Sequence, residues 1–292
     1  MCVRDHRIAR IDLSKQWGAS PTARTVLSAP FVDIRDNLVT RVTGGTVYLP
    51  QPRLGRIAVV GQADLRPVAT LRAGPSPSLL AVDSGAHHLL AMSEDHSTVT
   101  PVDLHDSSVA PSQTVQMGPE AELDGAQRGR PIDFHVTSAA GIVHYEGDPE
   151  SVHSKGQLAI SAGEAIGDLT KSSRLYVAEK GTDRLLAVDS RRSGDGLEVV
   201  AQARLGEPVE YVGVDETRVY AVTEHRLVVL ATNSFEGYTD QRFPIISVMD
   251  FRDALPGDAR SAALSGLAVS PDQIYLAFRG QPYLVSIAKP SI

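Results

Sequence analysis

An all-β chain of β-propeller type is predicted by three observations: a strand module that recurs along the chain, turn residues at the ends of nearly every strand, and no amphipathic run longer than two helical turns. The module is an apolar strand, a short turn, a second strand rich in Tyr and Val, another turn and a third strand.

The clearest copy is IGDLTKSSRLYVAEKGTDRLLAVDS, from Ile166 to Ser190. Further copies start at Ser78 (SLLAVDSGAHHLLAMSEDHSTVTPVDL), Tyr211 (YVGVDETRVYAVTEHRLVVLATN) and Gly266 (GLAVSPDQIYLAFRGQPYLVSIA), with weaker ones at Thr46 and Phe134. Middle strands begin near Thr46, His88, Ile142, Arg174, Arg218 and Gln273, giving gaps of 42, 54, 32, 44 and 55 residues. A four-stranded blade needs about 40 to 45 residues, so the mean spacing fits and loops absorb the variation.

At the beginning of the chain, RIARIDL from Arg7 matches the third strand RLLAVDS, and TARTVLSAP then matches an outer fourth strand. The first blade is therefore expected to be incomplete, with Met1 to Val3 as the tail of a second strand and roughly 20 to 30 residues lacking on the blade length above. Third strands near Arg7, Arg56, Thr98, Gln157, Arg184, Arg226 and Tyr283 predict seven blades; six are expected if RIARIDL closes the last blade instead. Tyr238 to Pro256 reads either as a long functional loop or as an extended fourth and first strand.

RLYVAEKGTDRLLAVDS and QIYLAF resemble the YVTN repeats of WD40-like propellers, which have a Tyr-Val strand, a polar turn and a strand ending in Asp. That resemblance covers most of the chain and implies a fold. RPIDFHVTSAAGIVHYEGDPES from Arg130, with the DH of VRDHRIARIDL, more weakly resembles the secreted propeller zinc metallochaperones of the AztD type, although their His-rich loop is absent from this sequence. It implies zinc handling.

Composition narrows the field. The 292 residues include 24 Gly, 18 Pro and 42% hydrophobic residues, enough for one domain of many short strands and turns. A net charge of -7 without a basic run argues against nucleic acid or an anionic membrane as partner. The lone Cys2 allows no internal disulfide, and no stretch approaches the roughly 20 apolar residues of a membrane span. A monomer is expected. It would be periplasmic or extracellular if an export signal lies upstream of Met1, and otherwise cytoplasmic.

Candidate chemistry gathers at the turns between second and third strands. Glu94, Glu146, Glu179 and Glu224 end second strands, Asp5 takes the equivalent place in the first blade, and His6, His96, His153 and His225 stand nearby. A ring of carboxylates and imidazoles suits zinc or another divalent cation, against the alternative that this turn simply prefers a solvated polar residue. His135 is the sharper candidate: in PIDFHV, expected to be an innermost strand, period-two alternation puts Asp133 and His135 on one face. The metal candidates are thus His135, Asp133, Glu94, His96, Glu224 and His225, against the alternative that His135 is a structural strand histidine.

No Gly-x-Ser-x-Gly elbow, Cys–His pair, HExxH or phosphate loop is present. The expectation is a non-catalytic binding or scaffold propeller that offers its rim and channel to a protein or small ligand. The alternative is a metal-dependent propeller hydrolase or lyase.

Overall fold

The computed structural model describes the chain except for residues 1, 5, 13–24, 35–38, 42–44, 83–86, 116–120, 125–131, 172, 191–195, 282–283 and 291–292. Asp5 and Tyr283 lie outside the described residues.

The chain divides into two compact units, residues 1–132 with 147–152 and residues 133–146 with 153–292. The first contains the antiparallel sheet of β1 (Cys2–Arg4), β2 (Arg7–Ile11) and β3 (Thr25–Leu27). It continues with β4 (Val39–Arg41), β5 (Thr46–Gln51), β6 (Arg56–Gly61) and β7 (Pro67–Leu71), and then with β8 (Pro77–Val82), β9 (His88–Ser93), β10 (Thr98–Asp103) and β11 (Gln113–Thr114).

A fourth sheet runs in the order β12 (Glu122–Asp124), β13 (Ile132–Ser138), β14 (Gly141–Asp148) and β15 (Ser151–Leu158). In the second unit follow β16 (Ala162–Gly167), β17 (Arg174–Glu179), β18 (Arg184–Ser190) and β19 (Leu197–Arg204), and next β20 (Val209–Val214), β21 (Arg218–Thr223), β22 (Arg226–Ala231) and β23 (Ile245–Asp250). The last sheet is β24 (Leu264–Val269), β25 (Gln273–Phe278) and β26 (Leu284–Ala288), preceded by the four-residue helix α1 (Gly257–Arg260).

Within each sheet the strands follow chain order or its reverse, the meander of a propeller blade. The described residues form seven sheets, as many as the third strands counted in the sequence, and a β-propeller arrangement with six blades is found. Six was the smaller of the two expected counts.

Central strands are covered on both faces, which is why they read as apolar runs and not as alternating patterns. Leu175, Tyr176, Val177 and Ala178 of β17 are all buried, as are Val219 to Val222 of β21. Their side chains fill cores between successive sheets: Tyr176, Ala178, Leu185 and Ala187 pack with Val212, Val219, Ala221 and Val228 in one cluster. Gly213 lets β20 lie close to β24, since a β-carbon there would stand 2.8 Å from Val269 Cγ2.

Predicted middle strands at Thr46, His88, Arg174, Arg218 and Gln273 begin where β5, β9, β17, β21 and β25 begin. The fourth sheet differs from expectation. Its strand Glu122–Asp124 precedes Ile132–Ser138, so PIDFHV is the second strand of four and not the innermost, and the strand expected from Gln157 is Ser151–Leu158. Tyr238 to Pro256 proves to carry the fourth strand β23, followed by a 3-10 turn over Arg252–Ala254.

Candidate functional site

Two turn signatures recur before the second strands of the second unit. Asp168 donates its amide to the Arg174 carbonyl (3.0 Å), Asp215 to that of Arg218 (2.9 Å) and Ser270 to that of Gln273 (2.8 Å). The carboxylates then reach into the sheet. Asp168 accepts from Tyr176 Oη (2.5 Å), Ser234 Oγ (2.6 Å) and the Thr170 and Lys171 amides. Asp215 accepts from Lys289 Nζ (2.5 Å), Tyr220 Oη (2.6 Å) and the Thr217 and Arg218 amides.

Burial opposes the charge on both acids, but these donors outweigh it: Asp168 is lowered, and Asp215 falls from 3.8 to about 2. Arg174, buried, forks onto Asp189 through Nε (2.7 Å) and Nη2 (3.1 Å), donates Nη1 to the Thr232 carbonyl (2.9 Å) and lies over the Tyr238 ring. Asp189 also takes Lys171 Nζ at 2.5 Å. The spacings Asp-x5-Arg-x-Tyr and Asp-x2-Arg-x-Tyr in the repeat are the sequence signal for this arrangement.

At the turns between second and third strands the polar residues are bound locally. His96 sits in the left-handed region (φ 57°) and its Nδ1 meets the Ala121 carbonyl. His6 has φ 58°, and Gly181 and Gly280 occupy the same corner in their sheets at φ 71° and 75°. Histidine is among the side chains that tolerate this region, so turn geometry accounts for two of the rim histidines. Between them and the strands, Asp95 accepts from Ser93 Oγ (2.5 Å) and Ser97 Oγ (2.7 Å), which hold it at about 2.

Glu179 accepts from Arg184 Nη1 at 2.9 Å. His225 pairs through Nδ1 with Glu207 at 3.3 Å, and Glu207 is itself lowered chiefly by the Thr223 hydroxyl, 2.6 Å away. Glu207 was not among the sequence candidates. Glu94 and Glu224 are exposed, the latter lending its backbone carbonyl to Arg252 Nε.

His135 is wholly buried, so it does not line an open channel. Its ring stacks on that of His144, centroids 4.8 Å apart and planes 22° from parallel. A two-residue turn at 139–140 joins β13 to β14, which sets His144 across from His135 and Tyr145 across from Phe134, the latter pair stacked at 5.2 Å. His144 Nε2 donates to Asp133 Oδ1 at 2.8 Å, while His144 Nδ1 and both His135 nitrogens meet no hydrogen-bond partner among the described residues. Burial, and secondarily His144, pushes His135 well below 6.5, so it is neutral at pH 7.

Asp133 and His135 thus both touch His144, one by a hydrogen bond and one by stacking. Imidazole lone pairs lie in the ring plane, so a metal drawing on both rings would have to sit at a common edge of the stack. Among the described residues no group of three or more His, Cys, Asp and Glu side chains is arranged to hold a metal ion. Likewise, no helix among them is long and apolar enough to cross a membrane.

No protein-family model matches the chain, and no curated protein matches it. Solved structures do. A functionally unknown protein from Desulfotomaculum acetoxidans is 9% identical with a TM-score of 0.71, over 98% of this chain and 91% of that one. The Cps50 (Swd1) β-propeller domain of Myceliophteria thermophila is 12% identical with a TM-score of 0.61, over 89% and 88%. A candidate 6-phosphogluconolactonase from Bacteroides uniformis is 12% identical with a TM-score of 0.63, over 98% and 93%. At such identities the likeness defines a fold class, the β-propellers, and that fold carries unrelated functions.

Proposed function

We propose that the chain is a non-catalytic binding propeller, whose rim and channel receive a protein or small ligand. The observation that supports this is how the rim is built. Glu179 and Asp95 are committed to partners in their own turns, and His96 and His225 to Ala121 and Glu207 in other connections, which leaves a polar surface with Glu94 and Glu224 exposed on it. Pre-organised surfaces bind without a large ordering cost.

The test is a random-peptide display library panned on the immobilised chain. Enrichment of a consensus whose affinity falls on Glu94→Lys or Glu224→Lys is expected; enrichment indifferent to both would overturn the rim as the binding face. The enzymatic alternative is checked with 6-phosphogluconolactone, the lactone that the Bacteroides uniformis neighbour's description implies. Turnover of it would sink the non-catalytic reading.

A second reading, zinc binding, is favoured by one observation: a carboxylate that fixes one nitrogen of a histidine is how proteins commonly present the other nitrogen to a metal. Asp133 does this for His144, with His135 stacked behind it. In this reading the two histidines are ligands and Asp133 orients His144. Calorimetric titration with Zn2+ should then show stoichiometric uptake that both His135→Ala and His144→Ala remove. Uptake unaffected by either substitution, or none at all, would discard it.

A further inference from the structure

We infer that the outer strand β23 pairs with the β23 of a second copy of this chain, antiparallel about a two-fold axis through Val248. The strand is the last in its sheet, so its far edge has no ladder partner among the described residues. Unlike a typical outer strand it is apolar: Ile245, Ile246, Val248 and Met249 are 46%, 48%, 53% and 37% exposed. Unpaired apolar edges of this kind are templates for another strand.

Register says which groups face outward. The Phe251 amide donates to the His225 carbonyl, and ladder pairing alternates with period two, so the backbone groups of Met249 and Ser247 face β22 and those of Val248 and Asp250 face away. A bulge between Val229 and Leu230 sets Ile246 apart on β23 and ends the regular edge there. A two-fold centre at Val248 lets the Val248 amide of each chain donate to the Val248 carbonyl of the other and sets Ser247 opposite Met249.

Charge selects the partner. Arg242, at one end of the segment, and Asp253, beyond the other, are both exposed, and neither has an ion-pair partner among the described residues. The Gln202 backbone on β19 pins the stretch around Arg242, donating its amide to Gln241 and accepting that of Phe243. An antiparallel copy brings each Arg242 toward the other chain's Asp253. A parallel strand would set like against like, and the sequence alone had pointed to a monomer.

Sedimentation velocity across a concentration series tests this, and the interface is small enough that the equilibrium should be visible. The expected result is a mass that rises from 31.2 kDa toward twice that value. Val248→Lys and Val248→Pro should both abolish the rise with the circular dichroism unchanged, because the Val248 amide serves no bond to β22. Arg242→Asp should weaken association at least tenfold, and adding Asp253→Arg should restore it. A monomer up to millimolar concentration, a dimer that ignores both Val248 substitutions, or no rescue by the double charge swap would each overturn the inference.

Discussion

Replacing Asp215 by Asn should remove a charge and, with it, the bonds that Oδ2 accepts from Lys289 Nζ and Tyr220 Oη. The turn amides of Thr217 and Arg218 still find an oxygen at that position, while Lys289, its side chain 11% exposed, loses its counter-charge. A carboxyl held at about 2 in place of 3.8 is stabilised in its charged form by at most about 2.5 kcal/mol, at ~1.4 kcal/mol per pH unit, and solvent screening of this part-exposed group brings that to about 2. Because the folded value is the lower one, the contribution is complete above the unfolded value and is lost as pH falls from about 4 toward 2.

Urea unfolding of the native protein and Asp215→Asn should therefore differ by about 2 kcal/mol at neutral pH, with the gap closing between about pH 4 and pH 2, where the native carboxyl also takes a proton. A difference that stayed constant down to the lowest pH at which both fold would refute the reasoning. It would mean that shape, and not the ion pair to Lys289, is what Asp215 supplies.

Arg174→Met should cost about 3–5 kcal/mol, since it leaves Asp189 and the Thr232 carbonyl without their buried donor, whereas Arg204→Met, at an exposed pair with Asp183, should cost under about 1; thermal denaturation of both variants separates the two. Gly74→Ala puts a β-carbon 2.2 Å from Thr100 Oγ1 at φ 70° and should destabilise well beyond Gly280→Ala, where space is open and only the left-handed backbone, about 1–2 kcal/mol, is paid. His96→Gly should lie within about 1 kcal/mol of native, the relieved backbone offsetting the lost bond to Ala121, and His96→Val should be clearly worse. A His96→Gly variant that unfolds early would make the ring, and not the turn, the reason for a histidine there.

What the sequence revealed and what it hid divide along one physical line. Central strands buried on both faces must be continuous apolar runs, so LYVA, VYAV and LLAM announce β17, β21 and β9 from composition alone. The strand Glu122–Asp124 obeys no such rule: three residues, two of them acidic, carry no periodicity, and missing it shifted His135 from the second strand to the first. The same limit governs the site. A histidine beside an acid at a turn looks like a ligand in one dimension, yet φ 57° at His96, with glycines at the same corner of other sheets, is a backbone requirement that a ligand pattern does not reveal.

His144 is the residue that links Asp133 to His135, and what sets it between them is cross-strand register, which spacing along one strand does not supply. The Asp168–Tyr176 and Asp215–Tyr220 bonds are the opposite case, since each stays within one turn and the strand that follows it. It follows that in such repeats a side chain kept at one turn position is evidence about the turn first. Polar residues that face one another across a hairpin, as His135 and His144 do, are the better place to look for chemistry.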